Sequence, residues 1–267
     1  MNRCTVLSAL LSVSLASTAA LAQSNAFAIV YDGKQVGKSV YTVKKTKKGF
    51  EMNDRSTYRL GGQDGDLSDE FHYGPGYNYI DGTDIDHNTQ LQTSYVPSKA
   101  GDQVTISRFQ QAGHDSNIVP AKPDMIVLPS FDAGSAQMAL LYVKTSPTAD
   151  SKYNVLFPGG AGGGARGGGG GRHGGGGTAP DDAAAMPTGD NTVDMLWVQG
   201  KDAEGSVDGK PVSLHTYELA AGRLRVILYA DTQNTLMLAD APALKMLYIR
   251  NGFKLAPPPP AGVLGNN

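Results

Sequence analysis

The feature that most constrains this chain is a repeated one. Short runs of alternating apolar and polar residues, each a strand long, are separated by turns bearing Gly and Asp. A two-residue period sends successive side chains to opposite faces, so such runs describe strands buried on one side. Residues 27–31, with Phe27, Ile29 and Tyr31, make the first. Asp32 and Gly33 then supply an Asp-Gly hairpin turn. Residues 36–45 continue with Val36, Tyr41 and Val43 among the apolar positions, and Lys47, Lys48 and Gly49 turn the chain again. Residues 50–60 form the next run, with Tyr58 and Leu60 on one face; residues 71–73, 77–80, 90–96 and 103–109 repeat the theme. Plentiful Thr, Tyr and Val favour strands over helices. The pattern predicts a meandering antiparallel sheet.

The middle differs. Residues 120–129 are extended and punctuated by proline. Over 130–144, Ala133, Ala136, Met138, Ala139, Leu140, Leu141 and Val143 stand in i,i+3 and i,i+4 relations, with Ser130 placed as an N-cap. One helix is predicted here, lying against the sheet, followed by a strand at 152–158. Residues 159–189 are almost pure glycine at their core, interrupted by Arg166, Arg172 and His173. Glycine loses the most entropy on ordering and has no side chain to bury, so this insert is expected to be disordered. Strands resume at 193–200, 211–219, 223–230, 235–238 and 244–250. A Pro-rich tail at 256–267 closes the chain. The expected fold class is mainly β: a curved antiparallel sheet or half-barrel with one packed helix. Residues 23–158 supply its first part and 190–255 the strands that complete it. Two smaller lobes, 26–158 and 190–255, are the alternative.

The N-terminus carries a targeting signal. Arg3 precedes an apolar stretch at 6–15, and Ala20 and Ala22 place small residues at −3 and −1 before Gln23. Residues 1–22 are read as a signal peptide, and the mature protein as periplasmic or secreted. Its apolar stretch is short for a membrane span, and no later segment is long and apolar enough to be one. Cleavage removes Cys4, the single cysteine, so a disulfide framework, a thiol nucleophile and cysteine metal ligands are excluded from the mature chain. The formal net charge of −2 argues against general affinity for nucleic acid or anionic lipid.

One resemblance emerges. Tyr31, Asp32, Gly33, Lys34, Gln35, Val36 and Gly37, followed by Tyr41, Thr42, Val43, Gly49 and Phe50, resemble the start of exported bacterial β-domains of unknown function. Those domains are similar in shape to the lipoprotein carriers LolA and LolB, in which a curved sheet wraps an apolar helix or ligand. The helical segment after Phe131, the strand ending at Phe157 and Pro158, and the ladder from Arg223 to Tyr248 fit the same plan. The resemblance implies an apolar ligand. The glycine-rich insert departs from that pattern.

Chemical motifs are weak. Arg166 and Arg172 in glycine are similar to RNA-binding segments, but aromatics are missing between them and the tract lacks a phosphate-loop ending. Asp64, Asp66, Asp69 and Glu70, and Asp81, Asp84, Asp86 and His87, gather oxygen ligands in expected turns, yet neither has the spacing of a calcium loop. His72, His87, His114, His173 and His215 are scattered singly, unlike a zinc site. No Gly-x-Ser-x-Gly elbow is present. A hydrolase would need His72 or His215 to meet a carboxylate and a Ser in one cleft. Leu140, Leu141, Trp197, Tyr217, Tyr229, Met237, Met246 and Tyr248 are the candidate ligand-binding residues, able to line the hollow of a curved sheet or to fill its core. The expectation is a non-catalytic envelope protein, without cofactor or metal, that binds an apolar small molecule. The alternative is a structural or assembly-associated domain that binds a protein partner.

Overall fold

The computed structural model describes residues 23–122, 125–128, 132–157, 191–221 and 224–257. The expected signal peptide, the glycine-rich insert and the tail beyond residue 257 lie outside them. The first half is an antiparallel meander: β1 (Gln23–Tyr31), β2 (Lys34–Lys45), β3 (Phe50–Leu60), β4 (Gln63–Tyr73), β5 (Tyr79–Asp86), β6 (Leu91–Pro97), β7 (Gln103–Gln110) and β8 (Gly113–Pro120). After β9 (Met125–Val127) comes α1 (Ala133–Thr145), the one α-helix among the described residues. The second half comprises β10 (Lys152–Phe157), β11 (Asn191–Gln199), β12 (Ala203–Val207), β13 (Lys210–Ala221), β14 (Leu224–Asp231), β15 (Leu236–Ala241), β16 (Met246–Arg250) and β17 (Phe253–Leu255).

All seventeen strands belong to one mostly antiparallel sheet. Its halves meet at β1, which pairs with β2 on one side and β16 on the other. From β16 the ladder runs through β15, β14, β13, β11 and β10 to β9, the last step being parallel. β12 pairs with the first part of β13 and carries β17 on its other edge.

The sheet must curve strongly. α1 touches β3, β2, β15 and β9, and nine pairing steps separate β3 from β9 along the ladder. A flat sheet would put those two strands about 43 Å apart at ~4.8 Å per step, whereas a helix is only ~10–12 Å across. The sheet therefore wraps the helix. Of α1, only Leu141, Lys144 and Thr145 escape full burial. A helix merely lying against a sheet buries one stripe, so this one is more deeply enclosed than its sequence implies.

Local chemistry sets the helix ends. Asp132, rather than the expected Ser130, is the N-cap: its carboxylate accepts the Ser135 N–H at 2.7 Å. Ser130 lies outside the described residues. At the other end the Ser146 N–H donates to the Tyr142 carbonyl at 2.8 Å. Gln137, buried in mid-helix, ties the halves of the sheet together. Its Oε1 accepts from the Tyr41 hydroxyl at 3.1 Å and the Leu236 N–H at 2.8 Å, and its Nε2 donates to the Asn234 carbonyl at 2.8 Å.

Several strands depart from the sequence reading. β4 begins at Gln63 instead of residue 71, and β5 extends to Asp86. β8, β12 and β17 have no counterpart among the expected strands. β8 is exposed at every position except Val119, so it has little apolar alternation to detect. Glycine at position 82 of β5 is required by packing, because a Cβ there would overlap the Phe71 ring.

The main core lies between α1 and the sheet; a smaller cluster of Leu214, Met237, Leu238 and Phe253 sits beneath β12 and β17. Adjacent helix positions test this placement. Leu140→Ala, at a fully buried site, is expected to cost about 2–5 kcal/mol, and Leu141→Ala clearly less. Urea unfolding of both variants checks the difference.

Candidate functional site

Strand alternation divides the sheet into two chemically distinct faces. On β3, Met52, Asp54 and Ser56 face the core, which sends Asn53 and Arg55 outward. On β4, Asp69, Phe71 and Tyr73 face inward, and Ser68, Glu70 and His72 outward. Continued through β5 and β6, this outer face forms a groove of about 630 Å³ crossing β2 to β6. Hydrogen-bonding side chains line most of it, and Val40, Ile85 and Val96 add apolar wall.

Several polar groups within and beside the groove are paired. His72 Nδ1 lies 2.6 Å from an Asp81 oxygen, and its Nε2 is 3.7 Å from Glu70. Ser68 Oγ is in hydrogen-bond contact with His87 Nε2 at 2.8 Å. Arg55 donates to both oxygens of Asp66, at 3.1 and 2.9 Å. The Arg55 guanidinium holds the Asp66 carboxyl below its usual range. Thus a carboxylate, an imidazole and a serine share one cleft, but not as a relay: Asp81 is on His72, whereas Ser68 is on His87. His215, the other histidine considered, is 3.0 Å from Asp202 on β13's side of the molecule. His114 stacks on Phe109 with centroids 4.7 Å apart, and His173 lies outside the described residues.

The expected acidic turns are strands. Asp64, Asp66 and Glu70 belong to β4 and Asp81 and Asp84 to β5, with alternation sending Asp69 to the opposite face from Glu70. Carboxylates adjacent in sequence are thereby separated by the pleat, which undoes the convergence a turn would provide. Among the described residues, no group of three or more His, Cys, Asp or Glu side chains is placed to hold a metal ion.

The inner face carries its own polar feature. Cross-strand register places Asp54 opposite Asp69, Asp69 opposite Asp84, and Asp84 opposite Thr93. Asp54 is capped from several directions: it accepts from Ser39 Oγ at 3.0 Å, Ser56 Oγ at 3.1 Å and the Gly134 N–H at 3.0 Å. The Tyr95 hydroxyl donates to Asp84 at 2.8 Å. Burial pushes the Asp54 carboxyl above its ordinary range despite those donors. Sequence alternation gives the facing of each aspartate, but their convergence beneath α1 follows from long-range pairing.

The eight apolar candidates do not line one open hollow. Leu140, Trp197, Tyr217, Met246 and Tyr248 are buried in the main core, with Leu141 at its margin. Met237 belongs to the smaller cluster, and Tyr229 packs beside it. Trp197 and Tyr217 are 5.9 Å apart at their centroids, and the Lys144 ammonium sits 5.2 Å from the Tyr217 ring centroid. Where Met138 and Tyr142 of α1 meet Tyr73 and Tyr79, the remaining crevice is about 10 Å³.

No protein family matches this chain, and no curated protein matches it either.

The inner-face contacts set the sign of one substitution. A Cβ on Gly134 would approach the Met52 sulfur to 2.7 Å and Asp54 Oδ2 to 3.0 Å. Gly134→Ala is therefore expected to destabilise the protein by about 1–3 kcal/mol through overpacking, although helix propensity alone would stabilise it by ~1 kcal/mol. Chemical denaturation reads which term wins.

Proposed function

We propose that this is a non-catalytic, exported envelope protein that recognises a protein partner through the outer groove of its sheet. The observation that carries the reading is the contrast between the two faces. Inside, α1 occupies the space that a carrier would offer to an apolar ligand. Outside, a groove of about 630 Å³ presents Asn53, Glu70, His72, Asp81, Thr83 and Gln92 around a few apolar residues.

Small-molecule pockets are mostly apolar with a few polar groups, whereas this groove is lined mainly by hydrogen-bonding side chains. The charges here are already arranged by neighbours, which lowers the ordering cost of binding. Val96 and Ile118, both more than half exposed, extend an apolar strip from the groove toward β8: Val96 is opposite Thr105 and Thr105 opposite Ile118. A polar groove continued by exposed apolar side chains suits a polypeptide surface better than a lipid tail. The split between the Ser68–His87 and His72–Asp81 pairs supports binding over acyl transfer, which needs nucleophile, base and orienting carboxylate in sequence.

An apolar-ligand carrier is the competing reading, and it requires α1 to leave the interior. Photo-crosslinking in the cell envelope separates the two. A photoreactive residue replacing Thr83 in the groove is expected to capture one discrete protein, with the yield falling several-fold when His72→Ala is added. The same residue at exposed Lys254 on β17 is expected to capture none. Equal labelling at both positions, or a reproducible apolar molecule retained in native mass spectrometry with no adduct at position 83, contradicts the groove reading.

A further inference from the structure

The inner face holds a second device, on the same strands that line the groove. Asp54, Asp69 and Asp84 stand side by side on three neighbouring strands. Opposed residues in a sheet have Cβ atoms about 4.5–5.5 Å apart, and like charges so placed repel. Two of the three, Asp54 and Asp69, are only 3% and 5% exposed. Asp69 also shares a hydrogen bond with Asp132, the N-cap of α1. Two ionised carboxylates have only acceptors between them, so that bond requires a proton. The proton is then a structural component of the helix cap.

A separate observation points to more than carboxylates in this compartment. Thr93 Oγ1, on the core face of β6 and opposite Asp84, is 2% exposed by residue and has no hydrogen-bond partner; Ser135 Oγ, in the first turn of α1, is likewise buried and unpartnered. Buried hydroxyls of this kind are ordinarily satisfied by internal water.

We propose that Asp69 and Asp132, beside the donor-capped Asp54 and with water at the neighbouring hydroxyls, form a proton-binding latch that fastens the first turn of α1 to β4 and loosens when its proton leaves. The surrounding groups act in both directions: burial and neighbouring carboxylates favour the uncharged state, whereas the hydroxyl and N–H donors on Asp54 favour the charged one. From the sheet, Tyr41, Tyr73, Tyr79, Tyr95 and Tyr248 crowd the compartment, and Asp84 adds further negative charge. Arg250 acts on Tyr41 at the β2 end, opposed there by Asp231, and Arg108 stands opposite Thr93 on β7. From the helix come the Gly134 N–H on Asp54 and the Asp132 carboxyl on Asp69.

Burial raises the Asp69 carboxyl well above its ordinary range, with Asp132, Asp84 and Asp54 adding to the effect; burial raises Asp54 as well. A folded value above the unfolded one means that the folded state holds the extra proton. That stabilisation is complete below the ordinary carboxylate value near 3.8 and is lost as pH rises through the folded value.

The test uses the full mature chain. Carbon-13 NMR of the aspartate carboxyls is expected to show Asp69 still protonated at a pH where exposed aspartates have ionised. Urea midpoints are expected to fall as pH is raised from about 4 to 8, by up to tenfold in the folding equilibrium for each pKa unit of elevation. Asp69→Asn keeps a donor toward Asp132 but has no proton to lose, so its profile is expected to be flatter. Asp69 ionising with the exposed aspartates overturns the proposal, as does a variant that retains the wild-type slope. The carboxyl titration decides the matter alone if the variant fails to fold.

Discussion

The structure depends on how a polar helix terminus is accommodated inside a sheet. A helix begins with backbone N–H groups that lack intrahelical partners, and burying them without acceptors costs more than a typical hydrogen bond contributes. Here Asp132 takes the Ser135 N–H and Asp54 takes the Gly134 N–H, so the acceptors come from the cap and from strand β3. Gln137 repeats the device one turn on, joining Tyr41 of β2 to Leu236 of β15 and to Asn234. These contacts fix the depth and rotation of α1, and the sheet closes around it. The apolar residues beyond, Met138, Leu140 and Val143, then meet the wrapped sheet as ordinary core.

That arrangement divides the molecule's roles. Buried hydrogen-bonded carboxylates add little net stability compared with well-packed apolar residues, but removing one partner leaves the other stranded. They specify a single seat for the helix. With the interior committed to that seat, the groove lies on the outer face, where the same strands display Glu70, His72 and Asp81. Strand alternation lets one segment, β4, serve both purposes: Asp69 inward for the helix, and Glu70 and His72 outward for the groove.

The β character, the single helix and most strand positions were legible because apolar alternation is a local signal. It failed where burial pattern and residue propensity conflict. Asp64, Asp66 and Asp69, read as a turn, pair residue for residue with β3, because Phe71 and Tyr73 further along bury the strand and fix its register. β8 is paired by backbone contacts to β7 and shows almost no apolar face. Trp197, Tyr217, Met246 and Tyr248 are buried in the main core, and a packed core and a greasy cavity use the same side chains, so sequence could not tell the two apart. Tyr229 and Met237, grouped with them, go with the smaller cluster, which alternation puts on the opposite face of the sheet: Tyr229 lies between Leu228 and Ala230 of the main core. The groove was illegible, since it assembles outward positions from strands that meet only through long-range pairing.

Native-state hydrogen exchange of the α1 amides tests the central claim most directly. A helix enclosed by the sheet and seated on Asp54 and Gln137 should become exchangeable only when the whole domain opens. The amides of Met138, Ala139 and Leu140 are expected to share the protection of the central strands β2 and β3 and to lose it at the same denaturant concentration. Exchange of those helix amides well before β2 and β3 would contradict the account, because it would make α1 a detachable element lying over an accessible hollow.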